Sequence, residues 1–351
     1  MTLQVPTSSR LRFVMGTAFT IAPGLALSAA VAVAANLAAP IVAHMLPIPA
    51  MVLALLAGIA LNPIAAGPAV QPGMNFCVKT LLRWAVALLG VRVALSDIAA
   101  LGPTTAILIV FAMAATIGAA FVLARLNGQS AGFGALVGAG TAVCGASAVL
   151  ATSTVVPNYP GKQADIVFVV VGVNTLATLA MVLYPPLCVL LGFDAQTSGV
   201  MLGGTIHDVA QVVGAGYAVS DAVGNTAVVV KLFRVFLLLP VVLGIGWHFT
   251  RAGAAHGQAR VPVPVFALVF LALCCANSVL THVSALAPLY APVRALLIDL
   301  STWGLLIAIG ALGLGTSVRA ITELGWRHVV TLVGTTLVIL AVTTAGLLAL
   351  A

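Results

Sequence analysis

Apolar segments long enough to cross a lipid bilayer follow one another along almost the whole of this sequence. Hydrophobic residues occupy 62% of its 351 positions, and charged residues occupy only 6%. Soluble domains are about 45–50% apolar and about 25% charged, and one helix across the hydrocarbon layer needs about 20 mostly apolar residues. We therefore expect an all-α, polytopic membrane protein with about eleven transmembrane helices in a lipid bilayer.

The basic residues indicate how such a chain would be oriented. Lys and Arg outnumber Asp and Glu by 14 to 7, and they are scattered without aromatic platforms, which argues against nucleic acid as a partner. The segments on the side of the N-terminus collect Arg10, Arg12, Arg125, Arg251, Arg260, Arg319 and Arg327, whereas the other side collects at most Arg92, Lys162 and Arg294. Because cytoplasmic loops are enriched in Lys and Arg, we predict a cytoplasmic N-terminus.

Two short basic motifs predict an internal repeat. Residues 78–91 read VKTLLRWAVALLGV, and residues 230–242 read VKLFRVFLLLPVV. Their separation of about 150 residues corresponds to five predicted helices, and an odd number of spans makes the second copy enter the bilayer from the opposite side. This arrangement predicts an N-terminal tail and extra helix in 1–45, a first inverted repeat in 46–195 and a second in 196–351.

Glycine-rich stretches occupy matching places in the two predicted repeats. Residues 132–151 read GFGALVGAGTAVCGASAVLA, and residues 303–318 read WGLLIAIGALGLGTSV. Glycine inside a helix costs about 1 kcal/mol relative to alanine, so such clusters mark either close packing of small residues or an unwound segment. The matching positions favour two discontinuous helices, whose positive N-terminal ends would attract an anion.

The stretch 203–234 concentrates polar side chains inside an otherwise apolar region. An ionised side chain at the centre of a bilayer costs roughly 2.5–3.5 kcal/mol on insertion scales. Lys231 and Arg234 therefore indicate a functional site near the middle of the membrane. Ammonium and guanidinium groups bind oxyanions by charge-assisted hydrogen bonds, so a small anionic solute is the expected partner.

A second basic pair lies earlier in the chain. Lys79 and Arg83 are one helical turn apart, and Asn75 extends the same stripe. One interpretation is that these residues also contact the anion. The other is that the two cations reach the membrane interface or pair with Asp97.

Two titratable residues and an amide lie close together within 203–234. His207 can change its charge near neutral pH, Asp208 follows it directly, and Gln211 comes one turn after His207. These residues would gate the cavity or carry a coupling proton. Alternatively, Asp208 forms an ion pair with Lys231 or Arg234 that simply permits their burial.

Other classes of chemistry lack a motif here. The GASA sequence around Ser147 does not match the G-x-S-x-G nucleophile elbow, and neither the H-E-x-x-H zinc motif nor a C-x-x-C spacing occurs in the sequence. We therefore expect no enzymatic activity, no metal site and no cofactor. The coupling ion would be H⁺ or Na⁺.

Three motifs carry a resemblance to a known family. NFCVKTLLRWAVALLGVRVALSDI (75–98), GTAVCGASAV (140–149) and GGTIHDVAQVVGAGYAVSDAVGNTAVVVKLFRVFLLLPVV (203–242) resemble the YeiH-type family of bacterial inner-membrane proteins, which carries the label of sulphate exporters. The resemblance covers about 45–350. It implies kinship with sodium/proton antiporters and bile-acid:sodium symporters, with a panel domain, a core domain containing two crossed broken helices, and a homodimer.

These observations together predict a secondary transporter that exports a small inorganic or organic anion by alternating access. A sodium- or proton-coupled cation antiporter is the first alternative, and a non-transporting membrane scaffold or sensor is the second. The predicted substrate-binding residues are Lys231, Arg234, Lys79, Arg83, Asn75, Thr141, Cys144, Gly145, Ser147, Thr316 and Ser317, and the predicted gating or proton-coupling residues are His207, Asp208 and Gln211.

Overall fold

The structure is a computed structural model. It describes residues 7–43, 50–65, 67–251, 265–281, 283, 286–315 and 326–350. Within these ranges the regular secondary structure is helical, without β-strands, which confirms the predicted all-α class.

Seventeen α-helices form the described part of the chain. They are α1 (Thr7–Ala43), α2 (Ala50–Ala60), α3 (Asn62–Ala65), α4 (Gln71–Phe76), α5 (Leu82–Leu88), α6 (Leu95–Ala100), α7 (Gly102–Leu126), α8 (Ala131–Ala139), α9 (Ala146–Ser153), α10 (Lys162–Leu190), α11 (Ala195–Thr205), α12 (Val209–Val219), α13 (Asp221–Phe236), α14 (Leu238–Arg251), α15 (Val265–Leu280), α16 (Ala287–Leu314) and α17 (Trp326–Leu350). Single turns of π-helix join α4 to α5 (Cys77–Leu81) and extend α8 (Gly140–Cys144), and a 3₁₀ turn (Leu89–Arg92) follows α5.

Seven helical stretches in the described residues are long and apolar enough to cross a membrane. They are Thr20–Val42, Gln71–Arg92, Gly102–Leu126, Lys162–Leu190, Asp221–Arg251, Ala287–Leu314 and Trp326–Leu350. Four shorter apolar helices of 10–17 residues overlap the other predicted spans; they are Ala50–Ala60, Ala131–Cys144, Val209–Val219 and Val265–Leu280. Several apolar helices of membrane-spanning length are therefore present as predicted, whereas the count of eleven crossings stays a prediction.

Polar side chains fix where several helices begin in the polypeptide. The Ser130 hydroxyl accepts a hydrogen bond from the Phe133 amide (3.0 Å) at the start of α8, and Asp194 accepts one from the Thr197 amide (2.7 Å) at the start of α11. Such N-caps satisfy backbone donors that have no partner within the helix. The Thr197 hydroxyl and amide also lower the pKa of the exposed Asp194 carboxyl.

The chain divides into two units by its internal contacts. The first unit comprises 1–88 and 293–317, and the second comprises 89–292 and 318–351. These boundaries differ from the predicted repeats. A repeat is a symmetry relation rather than a packing unit, so the inverted repeat stays a prediction.

Glycines bring helix backbones into contact in the first unit. A Cβ atom on Gly73 would lie 2.6 Å from the Cα atom of Gly24, and a Cβ atom on Gly58 would lie 2.9 Å from the Cα atom of Gly313. Thus α1 packs directly on α4, and α2 packs on α16, through small residues, as is common between membrane helices. The Asn62 side-chain amide also donates to the Leu314 carbonyl (2.7 Å).

We expect Gly73→Ala to destabilise the first unit by about 1–3 kcal/mol, because the added methyl group overlaps backbone atoms that cannot rotate away. Thermal unfolding in detergent measures this effect. Gly118→Ala is the matched control, since a Cβ atom on Gly118 in α7 would meet nothing within 4 Å. An equal melting temperature for the two variants would contradict the close α1–α4 contact.

The second unit surrounds an apolar core. Phe133, Val149, Phe168 and Leu332 belong to one buried cluster formed by α8, α9, α10 and α17. Helix α13 packs against α11 and α12, and α17 packs against α7 and α11. This packing encloses both of the helix interruptions described below.

The prediction of two discontinuous helices fits the described chain in one of its two positions. Residues 132–151 are interrupted as predicted. Residues 303–314 belong to the continuous helix α16, whereas Thr316 and the two residues after it lie outside the described residues. The second interruption in the described chain lies between α11 and α12 instead. Asp208 favours this interruption, because its side chain accepts a hydrogen bond from the Val209 amide (2.7 Å) and so caps the start of α12.

Candidate functional site

The first interruption separates α8 and its π-helical turn from α9. It is centred on Gly145, whose φ of 63° and ψ of −132° lie in a region that only glycine adopts readily. The chain therefore changes direction within one residue, and a new helix begins at Ala146. No side chain caps the N-terminus of α9.

The second interruption lies between Thr205 and Val209, and it contacts the first. Ile206 and Asp208 have extended backbone dihedrals, so the helical hydrogen-bond ladder stops there. A Cβ atom on Gly145 would lie 3.6 Å from the Asp208 Cβ atom and 3.6 Å from the His207 carbonyl oxygen. The two breaks are thus in van der Waals contact.

Lys231 lies beside this contact and is completely buried. Its ammonium donates to the carbonyl oxygens of Val143 (2.7 Å) and Ile206 (3.0 Å), and also to that of His207. Three carbonyl acceptors require three N–H donors, which only the protonated amine has. Lys231 is therefore an ammonium whose donors all bind backbone.

Arg234 lies one turn further along α13 and is also completely buried. Nε donates to the Ala142 carbonyl (2.9 Å) and Nη2 to the Thr141 carbonyl (2.8 Å). Nη1 donates to the Gly203 carbonyl (2.9 Å) and the Ile206 carbonyl (3.0 Å). The planar guanidinium thus joins the end of the π-helical turn after α8 to the end of α11.

These hydrogen bonds give the two cations a role that the sequence does not indicate. The last carbonyls of a helix lack intrahelical donors and carry the negative end of its dipole. Lys231 and Arg234 satisfy those carbonyls at both interruptions and so stabilise two helix ends inside an apolar core. All donors of the Lys231 ammonium bind backbone carbonyls in this structure, and direct contact between Lys231 and an anion stays a prediction.

Four other predicted binding residues lie at the first interruption. Thr141 is completely buried, and its hydroxyl has no hydrogen-bond partner. Cys144 is buried beside Gly145 and lies within the electrostatic reach of Lys231, Arg234 and Asp208. Ser147 is exposed on the first turn of α9. The structure therefore brings these four residues together, and Ser147 is the exposed one.

The three predicted gating residues lie at or just after the second interruption. The buried His207 ring contacts the Thr336 hydroxyl of α17 through Nε2 (3.0 Å). Asp208 is half-buried. Gln211 is completely buried, and its amide nitrogen lies 3.4 Å from the Thr178 hydroxyl. Thr336 and Thr178 are not among the residues predicted from the sequence, although hydroxyls in apolar helices are a recognisable signal.

The remaining predicted residues belong to the first unit or lie outside the described residues. Asn75, Lys79 and Arg83 belong to the first unit, where all three are exposed, in contrast to Lys231 and Arg234. Thr316 and Ser317 lie outside the residues that the structure describes, as does the side chain of Asp97.

Comparison with known proteins identifies the family of this chain. The family model described as "Conserved hypothetical protein 698" matches residues 23–332. The chain belongs to this family, UPF0324. No solved structure matches the chain.

Members of UPF0324 in other bacteria align along most of this chain. "UPF0324 membrane protein TauZ" of Paracoccus pantotrophus is 43% identical over 93% of this chain and 94% of its own length. "UPF0324 membrane protein CT0845" of Chlorobaculum tepidum is 38% identical over 85% of this chain and 82% of its own length. "UPF0324 membrane protein RB0971" of Rhizobium meliloti is 40% identical over 93% of each. These relatives are membrane proteins by name, in agreement with the apolar helices of this UPF0324 member.

Proposed function

We propose that this UPF0324 protein is a secondary active transporter that exports a small oxyanion, of the sulphate, sulphite or sulphonate kind, by alternating access. The observation that supports this proposal is the contact between two helix interruptions beside two buried cations. Transporters place substrate sites at such discontinuous helices, where half-helix N-termini face anionic groups.

The first turn of α9 offers the donors for an anion. The leading amides of a helix have no intrahelical acceptor, and no side chain caps this end. The exposed Ser147 hydroxyl adds one further donor. Lys231 and Arg234 would attract the anion through their field, since their hydrogen bonds go to backbone carbonyls.

The gating step would involve the second interruption. Asp208 is half-buried and adjoins Gly145, so a change in its charge or position reaches the anion-binding turn directly. His207 connects the same place to α17 through Thr336. These contacts favour Asp208 and His207 as the residues that respond to a coupling H⁺ or Na⁺.

Flux measurements on purified protein in liposomes test the function. We expect accumulation of a labelled oxyanion that depends on an anion gradient and is inhibited by other small oxyanions. The carboxylate of Asp208 makes a cation antiporter the second candidate, and it would give cation flux that persists without any permeant anion. A scaffold or sensor would give no flux, and either result would contradict anion transport.

We expect Ser147→Ala to weaken anion binding by up to about tenfold, because one hydrogen bond contributes about 0.5–1.5 kcal/mol. The folded state should be unaffected, since Ser147 is exposed. Ser153→Ala at the other end of α9 is the matched control, because its hydroxyl donates to the Leu150 carbonyl (2.7 Å), away from the interruption. Competition binding distinguishes the variants, and equal affinities would argue against this anion position.

The proposal includes the bacterial inner membrane as the location and a cytoplasmic N-terminus. Arg125 and Arg251 end α7 and α14, and the rings of Phe121 and His248 on these helices lie 5.4 Å apart. The two arginines thus lie at one end of the second unit, as the positive-inside rule requires. Labelling of single introduced cysteines at positions 125 and 92 from each side of the membrane tests this orientation.

A further inference from the structure

We infer that the site at the two interruptions is built for a guest with one negative charge, and that Asp208 sets this charge preference. This inference rests on the proposed function and specifies its substrate class. A monoanionic oxyanion would be preferred over a dianion of the same shape and size.

Three charged side chains surround the interruptions. Lys231 is an ammonium because it donates to three carbonyls, and Arg234 remains charged in proteins. Asp208 accepts a hydrogen bond from the Val209 amide at the start of α12, where a carboxylate is favoured by the helix dipole, and it is counted here as one negative charge. Cys144, which precedes Gly145, lies within the electrostatic reach of all three side chains.

Two positive charges and one negative charge leave one net positive charge in this apolar region, with His207 counted as neutral. Uncompensated charge in a low-dielectric environment is costly. One bound negative charge makes the group neutral, whereas a dianion leaves one negative charge in excess. The charge balance therefore selects a monoanion.

The position of Asp208 brings its charge close to the proposed guest. Its Cβ atom would lie 3.6 Å from a Cβ atom placed on Gly145, the residue that precedes α9. An anion at the first turn of α9 is therefore close to the Asp208 carboxylate. Because Coulomb energy is proportional to the product of the charges, repulsion by this carboxylate and attraction by the two cations both double for a dianion. Asp208 therefore acts on selection by lowering the net positive charge that the guest has to balance.

Removal of the Asp208 charge should reverse the preference. The two cations remain in Asp208→Asn, so the net charge becomes two and a dianion becomes the balanced guest. Asparagine is also a good N-cap, which lets α12 begin at the same place. Asp208→Ser provides a second neutral cap if the asparagine variant folds poorly.

Methanesulphonate and sulphate are suitable probes, because both are tetrahedral sulphur oxyanions and they differ in charge. We expect counterflow uptake by wild-type protein in liposomes to favour methanesulphonate by at least tenfold. Asp208→Asn and Asp208→Ser should lower this ratio by at least tenfold, and Asp208→Glu should restore it. Asp221→Asn is the matched control, because Asp221 is an exposed carboxylate in an ion pair with Arg92 (3.3 Å).

The possible results separate this inference from the proposed function. If wild-type protein takes up neither anion, the proposed anion transport itself is wrong. Equal uptake of sulphate and methanesulphonate by wild-type protein would overturn the charge selection by Asp208, and anion transport would still stand. The same conclusion would follow if the neutral variants kept the wild-type uptake ratio. A shift of the ratio in Asp221→Asn as large as in Asp208→Asn would also overturn it.

Discussion

Arg234→Leu is expected to prevent stable folding of the second unit. The substitution leaves the carbonyls of Thr141, Ala142 and Gly203 without the donors that the guanidinium supplies. A buried polar group that loses its partner costs about 1–3 kcal/mol. Three such losses approach the whole stability of a typical domain, about 5–15 kcal/mol, so the variant should unfold or aggregate in detergent.

Two further variants show whether geometry or charge matters at this position. Arg234→Lys keeps the charge but has one compact donor group in place of the planar fork, so we expect little recovery of stability. Arg125→Leu removes an exposed arginine at the end of α7 and should melt like wild type. A wild-type melting temperature for Arg234→Leu would contradict the stabilising role of the guanidinium.

Gly145→Ala is expected to fold, but its transport rate should be at least about tenfold lower than that of the wild-type protein. An alanine Cβ atom would make only ordinary contacts of 3.6 Å, so the substitution does not fail for lack of space. The cost comes from the φ of 63°, which strains a non-glycine residue by about 1–3 kcal/mol. The chain would relieve this strain by altering the interruption that carries the anion-binding turn.

Liposome flux and thermal unfolding measured on the same preparation test this expectation. Gly244→Ala is the matched control, because Gly244 lies in α14 and a Cβ atom there would meet nothing within 4 Å. We expect the control to keep both its flux and its stability. Wild-type flux in Gly145→Ala would mean that the shape of the first interruption is not needed for transport.

Features that depend on side-chain composition were predictable from the sequence. Long apolar runs give the membrane helices, and the glycines of 132–151 mark the first interruption. The rarity of charge in apolar helices correctly selected Lys231 and Arg234 as buried residues. In each case, the residue type itself carries the physical cause.

Features that depend on the backbone were not predictable. A sequence shows which side chains can donate hydrogen bonds, but it does not show which helix ends leave backbone carbonyls without donors. The sequence alone therefore favours an anion as the partner of Lys231. The interruption between Thr205 and Val209 was missed for a related reason. This interruption is stabilised by the Asp208 cap and by the hydrogen bond from Lys231, on another helix, to the Ile206 carbonyl. The glycines of 303–318 instead predicted a break in a region where α16 continues as far as Leu314.

The central claim is that an anion binds at the first turn of α9, beside the two cations that hold the interruptions together. Anomalous X-ray scattering from crystals soaked in a selenium-containing monoanion tests it most directly. We predict a selenium peak within hydrogen-bonding distance of the Ala146 and Ser147 amides, and its absence in Gly145→Ala. Ordered selenium elsewhere in the protein, with this turn empty while oxyanion transport is intact, would contradict the claim.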